Sequence, residues 1–380
     1  MSFRCACMTC GLIGLGLGWS PPGHARDALS KTFDNGVEVG AKGIFQYAGN
    51  AFDNDRQADG SHLFDDSQDW RRQELNLFVK KKDSFEITAG YDFANDAWVD
   101  NYLALESKAG KFQLGEFRTP VGWESARTSG RANTFIEAGL PVEMAYEGRR
   151  AGLGWTWTGV PHWTLQLAWF APHDLNHDGA GRTLAGRAVF APVARADEVV
   201  HLGLAVSQEN RNDGSAQVRA RPEARLTPVR LVDTGTLSGV DHINRGGLEA
   251  AWMNGPLLLQ GEYLAMHVAR NTVRSFGSHG YYVSAAWMLT GESHGYKDTA
   301  FANPVPSRPA GAVEVAMRYS SVDLDDGGIE GGTEHDWTLG LNWYISKHFK
   351  LQANAVRAFS DRGSLEVDPH IYELLAQLDF

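Results

Sequence analysis

The strongest constraint on this chain is a regular alternation of apolar and polar side chains from about residue 36 onwards. In "WTLGLNWYI" (337–345), every second residue is tryptophan, leucine or isoleucine. The same period of two recurs in the segments 75–80, 86–92, 153–158, 164–169, 313–319 and 349–355. Because a β-strand directs successive side chains to opposite faces, this period predicts strands with one apolar and one polar face.

The segment "HIYELLAQLDF" (370–380) ends the sequence on the same pattern. In a barrel that spans a membrane, the apolar face of such a strand meets lipid and the polar face meets a wet lumen. The rest of the sequence contains no run of about 18 apolar residues, the length that a transmembrane helix needs. Its 42 glycines and many aromatic residues suit strands and turns. We therefore expect 370–380 to be the closing strand of a transmembrane β-barrel, with Phe380 at the membrane interface.

The connections between the predicted strands fall into two classes. The tight ones lie near 81–84, 107–110, 159–162, 254–256 and 346–348, and the long polar ones are 48–68, 172–181, 267–277, 321–333 and 359–369. Short turns at one rim and long loops at the other are typical of outer-membrane barrels. The sequence contains 17 strand-like segments. If 208–244 is one long excursion from the barrel wall, with no membrane-spanning strand inside it, sixteen strands remain and every tight turn lies at one rim. The predicted fold is an all-β, 16-stranded antiparallel transmembrane β-barrel; the long connection 290–310 at the short-turn rim has no explanation from the sequence.

The N-terminal segment 1–25 has the features of a signal peptide. Arg4 is followed by a weakly apolar stretch to Trp19, and small residues precede and include Ala25. All three cysteines, Cys5, Cys7 and Cys10, lie inside this segment, so the mature chain is expected to contain none. We expect cleavage near residue 25 and a single barrel domain over 26–380.

Two segments are candidates for folding into the lumen, where selectivity would be set. The segment 119–148 is too long for an ordinary hairpin loop and carries an apolar patch over 135–145, which suggests packing against the inner wall. A surface loop or a contact between subunits is the alternative. In "VRARPEAR" (218–225), Arg219, Arg221 and Arg225 share one parity and would line one side of an extended backbone. The alternative is a basic strand that faces bulk water or the phosphates of lipopolysaccharide.

The alternation within a strand also predicts whether the other charged residues near these segments face the lumen or the lipid. Leu75, Leu77 and Val79 set the lipid face of their strand, so Arg72 is expected to face the lumen. Arg71 has the opposite parity and would need a bulge or a place above the membrane.

The same alternation gives different predictions for Asp92 and Arg118. Asp92 has inward parity, whereas Arg118 reaches the lumen only if the register breaks where the long loop begins.

Several motifs in order resemble the phosphate-selective porin O and P family over most of the mature chain. They include "WRRQELNLFVKKKDSFEITAGYDFAND", "YLALESKAGKFQLGEFRTPVGWE", "VRARPEARLTPVRLVDTG" and "GLNWYISKHFKLQANAVRA". The resemblance implies a 16-stranded trimeric porin with an anion site at the constriction. By match of motif, Arg71 and Arg72 take the family's paired arginines, Asp92 its acid, and Arg118 the place of its lysine. Arg219, Arg221 and Arg225 fall on its arginine ladder, a series of arginines on an inward loop.

The sequence and the resemblance together predict an outer-membrane porin of a Gram-negative bacterium that passes small anions such as phosphate. The expected partners are these anions, outer-membrane lipid with lipopolysaccharide, and two further copies in a homotrimer. No cofactor, metal site, enzymatic activity or nucleic-acid partner is expected. The rival hypothesis is an outer-membrane barrel that acts as an enzyme or adhesin, which would need a Ser, His and acid at one rim if it were an enzyme. The acidic, glycine-rich segment 323–336 is expected to be an exposed loop.

Overall fold

The computed structural model describes residues 29–57, 60–126, 130–176, 181–363 and 367–380. The predicted signal peptide, 1–25, lies outside these residues. The described chain contains 22 strands and two short helices. The strands are β1 (Leu29–Thr32), β2 (Val37–Asp53), β3 (Ser67–Lys81), β4 (Phe85–Asp92), β5 (Ala97–Trp98), β6 (Tyr102–Ser107), β7 (Gly110–Arg118), β8 (Arg149–Trp157), β9 (Trp163–Phe170), β10 (Thr183–Ala194), β11 (Glu198–Asn210), β12 (Ser215–Ala220), β13 (Val232–Ser238), β14 (Val240–Asn254), β15 (Leu257–Arg270), β16 (Phe276–Met288), β17 (Gly295–Lys297), β18 (Ala300–Ala302), β19 (Ala312–Asp326), β20 (Ile329–Tyr344), β21 (Phe349–Asp361) and β22 (His370–Asp379). The helices are α1 (Trp123–Ala126) and α2 (Leu140–Met144).

Within the described residues, sixteen of these strands form one closed antiparallel barrel. In order around the barrel they are β2, β3, β4, β6 to β11, β14 to β16 and β19 to β22. The last strand, β22, pairs with β2 from Asp379 opposite Ile44 to His370 opposite Asp53, and this pairing closes the sheet. Strand β1 pairs with the beginning of β2. The predicted 16-stranded barrel is confirmed.

The alternation of the sequence becomes an alternation of environments across the wall. Leu339 and Leu374 expose 58% and 52% of their surface on the outer face, whereas Asn342 and Gln377 on the same two strands are fully buried in the interior. Other residues of β20 to β22 follow the same rule: Leu341, Trp343 and Leu378 lie outside, and Gln352 and Asp379 lie inside. An apolar outer face around a polar interior is the arrangement expected of a barrel in lipid.

The two rims carry the predicted difference in loop length, with exceptions. Tight turns at 82–84, 108–109, 158–162, 195–197, 255–256 and 345–348 join strands at one rim. The prediction of one long excursion over 208–244 is also correct, with narrower bounds. The segment 211–239 contributes no strand to the barrel wall and forms the separate β12–β13 hairpin. The exception at the short-turn rim is 289–311, which contains the β17–β18 hairpin.

Two long loops predicted at the other rim are wrong. The segment 267–277 is mostly strand, and only 271–275 connects β15 to β16. The segment 323–336 is not an exposed loop, because β19 and β20 continue to a two-residue turn at Gly327 and Gly328. Both glycines have positive φ angles, of 58° and 93°. Two successive left-handed residues form the turn that matches the twist of a hairpin, so the glycines extend the ladder rather than end it.

The C-terminal residue completes the closure at the short-turn rim. The N–H of Phe380 donates to the carbonyl of Gly43 (3.1 Å), and the N–H of Gly43 donates to the carbonyl of Phe380 (3.0 Å). Its ring stacks on Phe45 with a centroid distance of 6.2 Å, on the outward face of β2. Among the described residues, neither helix is long and apolar enough to cross a membrane.

Candidate functional site

The segment 119–148, between β7 and β8, crosses the lumen to the opposite wall. The N–H of Trp123 donates to Glu262 on β15 (2.7 Å), and the N–H of Leu140 donates to Ser320 on β19 (3.0 Å). Backbone carbonyls of the segment accept hydrogen bonds from the inward side chains Asn342, Lys350, Gln352 and Gln377. We call this segment the inward loop.

The apolar part of the inward loop packs against the barrel wall, as the sequence predicted. Phe135 and Leu140 are almost fully buried, and Met144 exposes only 4% of its surface. Leu140 and Met144 belong to one apolar cluster with wall residues that include Leu264 and Tyr282. Burial of these side chains holds the loop inside the lumen, because each buried residue of this size contributes roughly 1.5–3 kcal/mol.

The segment 211–239 is the second structure that enters the lumen from the long-loop rim. Glu223 fixes it to the wall, since Arg318 of β19 donates to its carboxylate (2.5 Å) and Thr338 of β20 donates to the same oxygen. The expectation of an extended backbone over 218–225 is only partly correct. The strand ends at Ala220, and Glu223 has a positive φ angle of 42°. The proline at 222 removes a ladder donor, so the three arginines do not form even rungs.

The connection 289–311 enters the lumen from the short-turn rim and meets the inward loop. Trp123 Nε1 donates to the carbonyl of Thr299 (3.0 Å), and Arg187 of β10 donates to the hydroxyl of Thr299 (2.7 Å). Phe301 packs on Trp123 with a centroid distance of 5.9 Å. This segment, which the sequence left unexplained, therefore contacts the inward loop from the short-turn rim.

A cavity of about 510 Å³ lies between the inward loop, the segment 211–239 and the wall formed by β3, β7 and β8. Six of the seven residues predicted for the site line it: Arg71, Arg72, Asp92, Arg118, Arg221 and Arg225. Arg219 is not part of this lining and lies farther along β12, exposed to solvent and within electrostatic range of Arg230. In the part of the chain that the structure describes, no group of three or more His, Cys, Asp or Glu residues could hold a metal ion.

A β-bulge brings both paired arginines to the interior. The register between β2 and β3 shifts between Gln46 and Tyr47, which face Arg72 and Trp70, so Arg71 is the extra residue. A bulge was one of the two arrangements that the sequence left open for Arg71. A bulged residue leaves the alternation of its strand, and neighbouring side chains can then share a face.

The two arginines of the bulge differ in what remains available to a solute. Arg71 Nε and Nη2 donate to both oxygens of Glu137 (2.8 and 2.7 Å), and Nη1 donates to Gln46 (2.8 Å). Arg72 donates through Nη1 to Glu74 (2.7 Å), and its Nε has no hydrogen-bond partner among the described residues. Arg72 therefore lines the cavity with a guanidinium that the described residues pair only with Glu74, and its side chain is 13% exposed.

Arg118 reaches the cavity at the end of β7. It pairs in register with Arg149 of β8, and its Nη1 donates to the carbonyl of Ser125 in the inward loop. Arg149 is held by a two-bond contact to Asp100 (3.0 Å each). Burial alone would raise the pKa of Asp100, but the charge of Arg149 and their hydrogen bonds lower it below the ordinary value. Arg118 thus lies beside a neutralised pair.

The arginines of the segment 211–239 also differ from one another. Arg221 forms an ion pair with Glu143 of the inward loop (2.7 Å). Arg225 is exposed to the lumen, and within the described chain its side chain makes one long hydrogen bond, to Asn95 (3.4 Å). Arg225 therefore keeps most of its donors for solvent or a solute.

Asp92 lies beside the arginines, but its carboxylate is already hydrogen-bonded by donors from β3 and from the turn after β4. Its carboxylate accepts from the N–H groups of Gln73 and Ala94 (2.9 and 3.1 Å) and from Nδ2 of Asn95 (2.6 Å). It caps the turn after β4 and adds a negative charge to the lining.

Acidic residues of the inward loop are the part of the site that the sequence reasoning missed. The described lining contains seven arginines and seven acids, the acids being Glu74, Asp92, Glu124, Glu137, Glu143, Glu147 and Asp174. Four of these acids, at positions 124, 137, 143 and 147, lie in the segment that was predicted to fold inward. That clustering was a signal for ion pairs with inward arginines, although the partners could not be assigned.

Comparison with known proteins agrees with this architecture. The sequence model of the family described as phosphate-selective porin O and P matches residues 39–380. Porin O of Pseudomonas aeruginosa is 30% identical over 287 residues, which are 66% of this chain and 65% of that protein. The alignment therefore spans just under two thirds of that relative's length.

Two solved structures have the same fold. An anion-selective porin from Comamonas acidovorans is 13% identical, with a TM-score of 0.59 over 90% of this chain and 100% of that one. The outer-membrane channel DcaP of Acinetobacter baumannii is 10% identical, with a TM-score of 0.61 over 93% of this chain and 100% of that one. At these identities the likeness concerns the fold alone.

Proposed function

Since this chain belongs to the phosphate-selective porin O and P family, we propose that it is an outer-membrane porin that passes small anions, phosphate or related oxyanions among them, through an arginine-lined constriction. The family consists of channels rather than enzymes, and its barrel lies in the outer membrane of Gram-negative bacteria. Passage through such a barrel is passive and breaks no bond.

The observation that carries the proposal is the guanidinium of Arg72 in the cavity lining, which the described residues pair only with Glu74. The side chain of Arg72 is 13% exposed, and the charges of Arg118 and Arg225, which also line the cavity, act on it. A guanidinium presents two parallel N–H donors that match two oxygens of a phosphate or carboxylate and stays charged at all relevant pH. A solute oxyanion in the cavity would give this guanidinium a second charged partner beside Glu74.

The arrangement also suits release of the anion. Conduction needs binding that is favourable enough for entry and weak enough for exit. Glu74 and Asp92 lower the positive potential beside Arg72, and Arg225 and Arg219 offer further cations along 211–239. We infer that an anion moves between these positions rather than resting on one.

The remaining features of the proposal concern assembly and processing. We propose removal of residues 1–25, a single barrel domain over 26–380, and a homotrimer in contact with lipid and lipopolysaccharide. The proposal of a trimer is supported by the family and by the shared fold with porins such as an OmpT of Vibrio cholerae that was solved in a trimer form.

Single-channel recording in planar bilayers tests the proposal. Phosphate is titrated into a chloride solution, and the block of the chloride current is measured for wild type, Arg72→Ala and Arg225→Ala. Loss of one charge-assisted contact should weaken the block roughly tenfold, or about 1.4 kcal/mol. Arg195→Ala is the matched control, because Arg195 lies in a tight turn with a 71% exposed side chain and pairs only with Glu198 within the described chain. Absence of any phosphate block in wild type would refute the phosphate site.

A further inference from the structure

Glu137 occupies the edge of Arg71 that an anionic solute would use. Its two carboxylate oxygens accept from Nε and Nη2, at 2.8 and 2.7 Å, which is the fork-to-fork geometry of an arginine with a bound carboxylate or phosphate. Gln46 accepts from the remaining terminal nitrogen, Nη1 (2.8 Å). Each nitrogen of the guanidinium is therefore engaged by the protein.

This pair is shielded from solvent and fixed from both sides. The side chains of Arg71 and Glu137 are exposed by only 4% and 12%. The backbone carbonyl of Glu137 accepts from Arg318 of β19 (3.0 Å), so the loop that carries Glu137 is anchored to the wall at that residue. A solute would have to displace a carboxylate that is tethered in place, and a tethered ligand has a high effective concentration.

Glu137 is charged in this position. Burial alone would raise the pKa of its carboxyl group, but the Arg71 charge and the paired hydrogen bonds outweigh burial and hold the pKa below the ordinary glutamate value. The positive charge of Arg71 is thus compensated inside the protein. Arg72, next to it in the sequence, pairs only with Glu74 among the described residues, and its side chain is 13% exposed.

We propose that Glu137 is a specificity-determining residue: as an internal counter-ion it removes Arg71 from the anion pathway and leaves Arg72 as the one available member of the pair. The inference rests on the proposed function, because it concerns the same cavity. Of the two neighbouring guanidinium groups, only that of Arg72 then remains available to bind an oxyanion. The channel is then built for brief contact with anions of low charge, such as monovalent phosphate or small carboxylates, and not for retention of multiply charged phosphates.

Two variants in planar bilayers test this role. Glu137→Gln keeps the size of the side chain and one acceptor for Arg71 but removes the charge. We expect phosphate block of the chloride current to tighten by roughly tenfold or more, with a shift of the reversal potential toward anion selectivity. Glu198→Gln is the matched control, since Glu198 also pairs with an arginine but lies at the short-turn rim, away from the cavity. It should behave as wild type.

The double variant Arg71→Gln/Glu137→Gln separates the roles of the two residues. It replaces the ion pair by a neutral pair of the same hydrogen-bonding type, so block should return to the wild-type value if Arg71 is sequestered. It also keeps the test valid if the single variant does not fold. A block as weak as that of Arg72→Ala would show that Arg71 contacts the anion in wild type and would overturn the inference.

The outcomes also separate this inference from the proposed function. Wild-type block that Arg72→Ala weakens, together with a Glu137→Gln variant that equals wild type, would contradict the role of Glu137 alone. No effect of Arg72→Ala or Arg225→Ala would contradict the anion site itself.

Discussion

Gly130 of the inward loop lies directly against the guanidinium of Arg72. A Cβ atom at position 130 would lie 2.4 Å from Nη1 and 2.7 Å from Cζ of Arg72, much closer than van der Waals contact allows. The carbonyl of Gly130 accepts from Gln46 Nε2 (3.0 Å), so the loop cannot withdraw without losing that bond. The absence of a side chain at 130 thus sets the position of Arg72.

Gly130→Ala should therefore displace Arg72 and weaken phosphate block of the chloride current by about as much as Arg72→Ala, roughly tenfold. Gly246→Ala is the matched control, because a Cβ there has no neighbour within 4 Å and the backbone has no positive φ angle. Block is measured by single-channel recording. A Gly130→Ala channel with wild-type block would show that Arg72 does not contact the anion in this position.

Docking of the inward loop gives a second prediction. Leu140 is fully buried against the wall, and its removal to alanine in a packed site costs about 2–5 kcal/mol. Because that cost falls on the contact between loop and wall, Leu140→Ala should loosen the loop, raise the chloride conductance and weaken phosphate block. Leu339→Ala, on the outer face and 58% exposed, is the control and should leave conductance unchanged. Equal conductance of Leu140→Ala and wild type would argue against the loop as the constriction.

A third prediction concerns pH and the connection 289–311. Both ring nitrogens of the buried His294 face acceptors: Nε2 lies 2.5 Å from Glu314, and Nδ1 lies 3.1 Å from the carbonyl of Ala302. Only the doubly protonated ring can donate to both. Burial alone would lower the pKa of His294, but the Glu314 carboxylate and the hydrogen bonds outweigh burial and raise it above the ordinary value, despite the opposing charge of Lys350.

The sign of the pH effect follows from that direction. A group whose pKa is raised by folding contributes its stabilisation below the ordinary histidine pKa and loses it as pH rises through the raised value. The connection should therefore loosen on the alkaline side, and conductance between about pH 5.5 and about pH 9 should rise with pH. His294→Gln should show the alkaline conductance throughout, and His267→Gln, which is exposed on β15, should titrate as wild type. A flat wild-type profile would contradict this role.

The barrel itself could be predicted because its physical cause is local. Alternation decides which face of a strand meets lipid, so the outward Leu339 and the inward Asn342 follow from the sequence alone. For Arg71, the parity left a bulge or a place above the membrane as the two possibilities, and the structure shows the bulge. The hairpin at Gly327 and Gly328 was missed because glycine and acidic residues are typical of loops. They also fit a tight turn between strands that extend beyond the membrane.

The contacts of the site could not be predicted, because they join residues far apart in the chain. Arg71 and Glu137 are separated by 66 positions, and Trp123 and Thr299 by 176. Which acid faces which arginine depends on how the inward loop docks, and that depends on burial over the whole lumen. The inward course of 289–311 has the same origin, since Phe301 finds its apolar partner, Trp123, in another loop.

The reversal potential of the wild-type channel in a KCl gradient tests the central claim most directly. The described cavity lining balances arginines against acids, but Arg72, which pairs only with Glu74 among the described residues, and the exposed Arg225 leave positive charge as the part that a solute meets. We predict that the wild-type reversal potential has the sign expected when chloride is more permeant than potassium. In Arg72→Ala, the reversal potential should move toward zero. A wild-type reversal potential at zero or on the potassium side would contradict an anion-selective constriction.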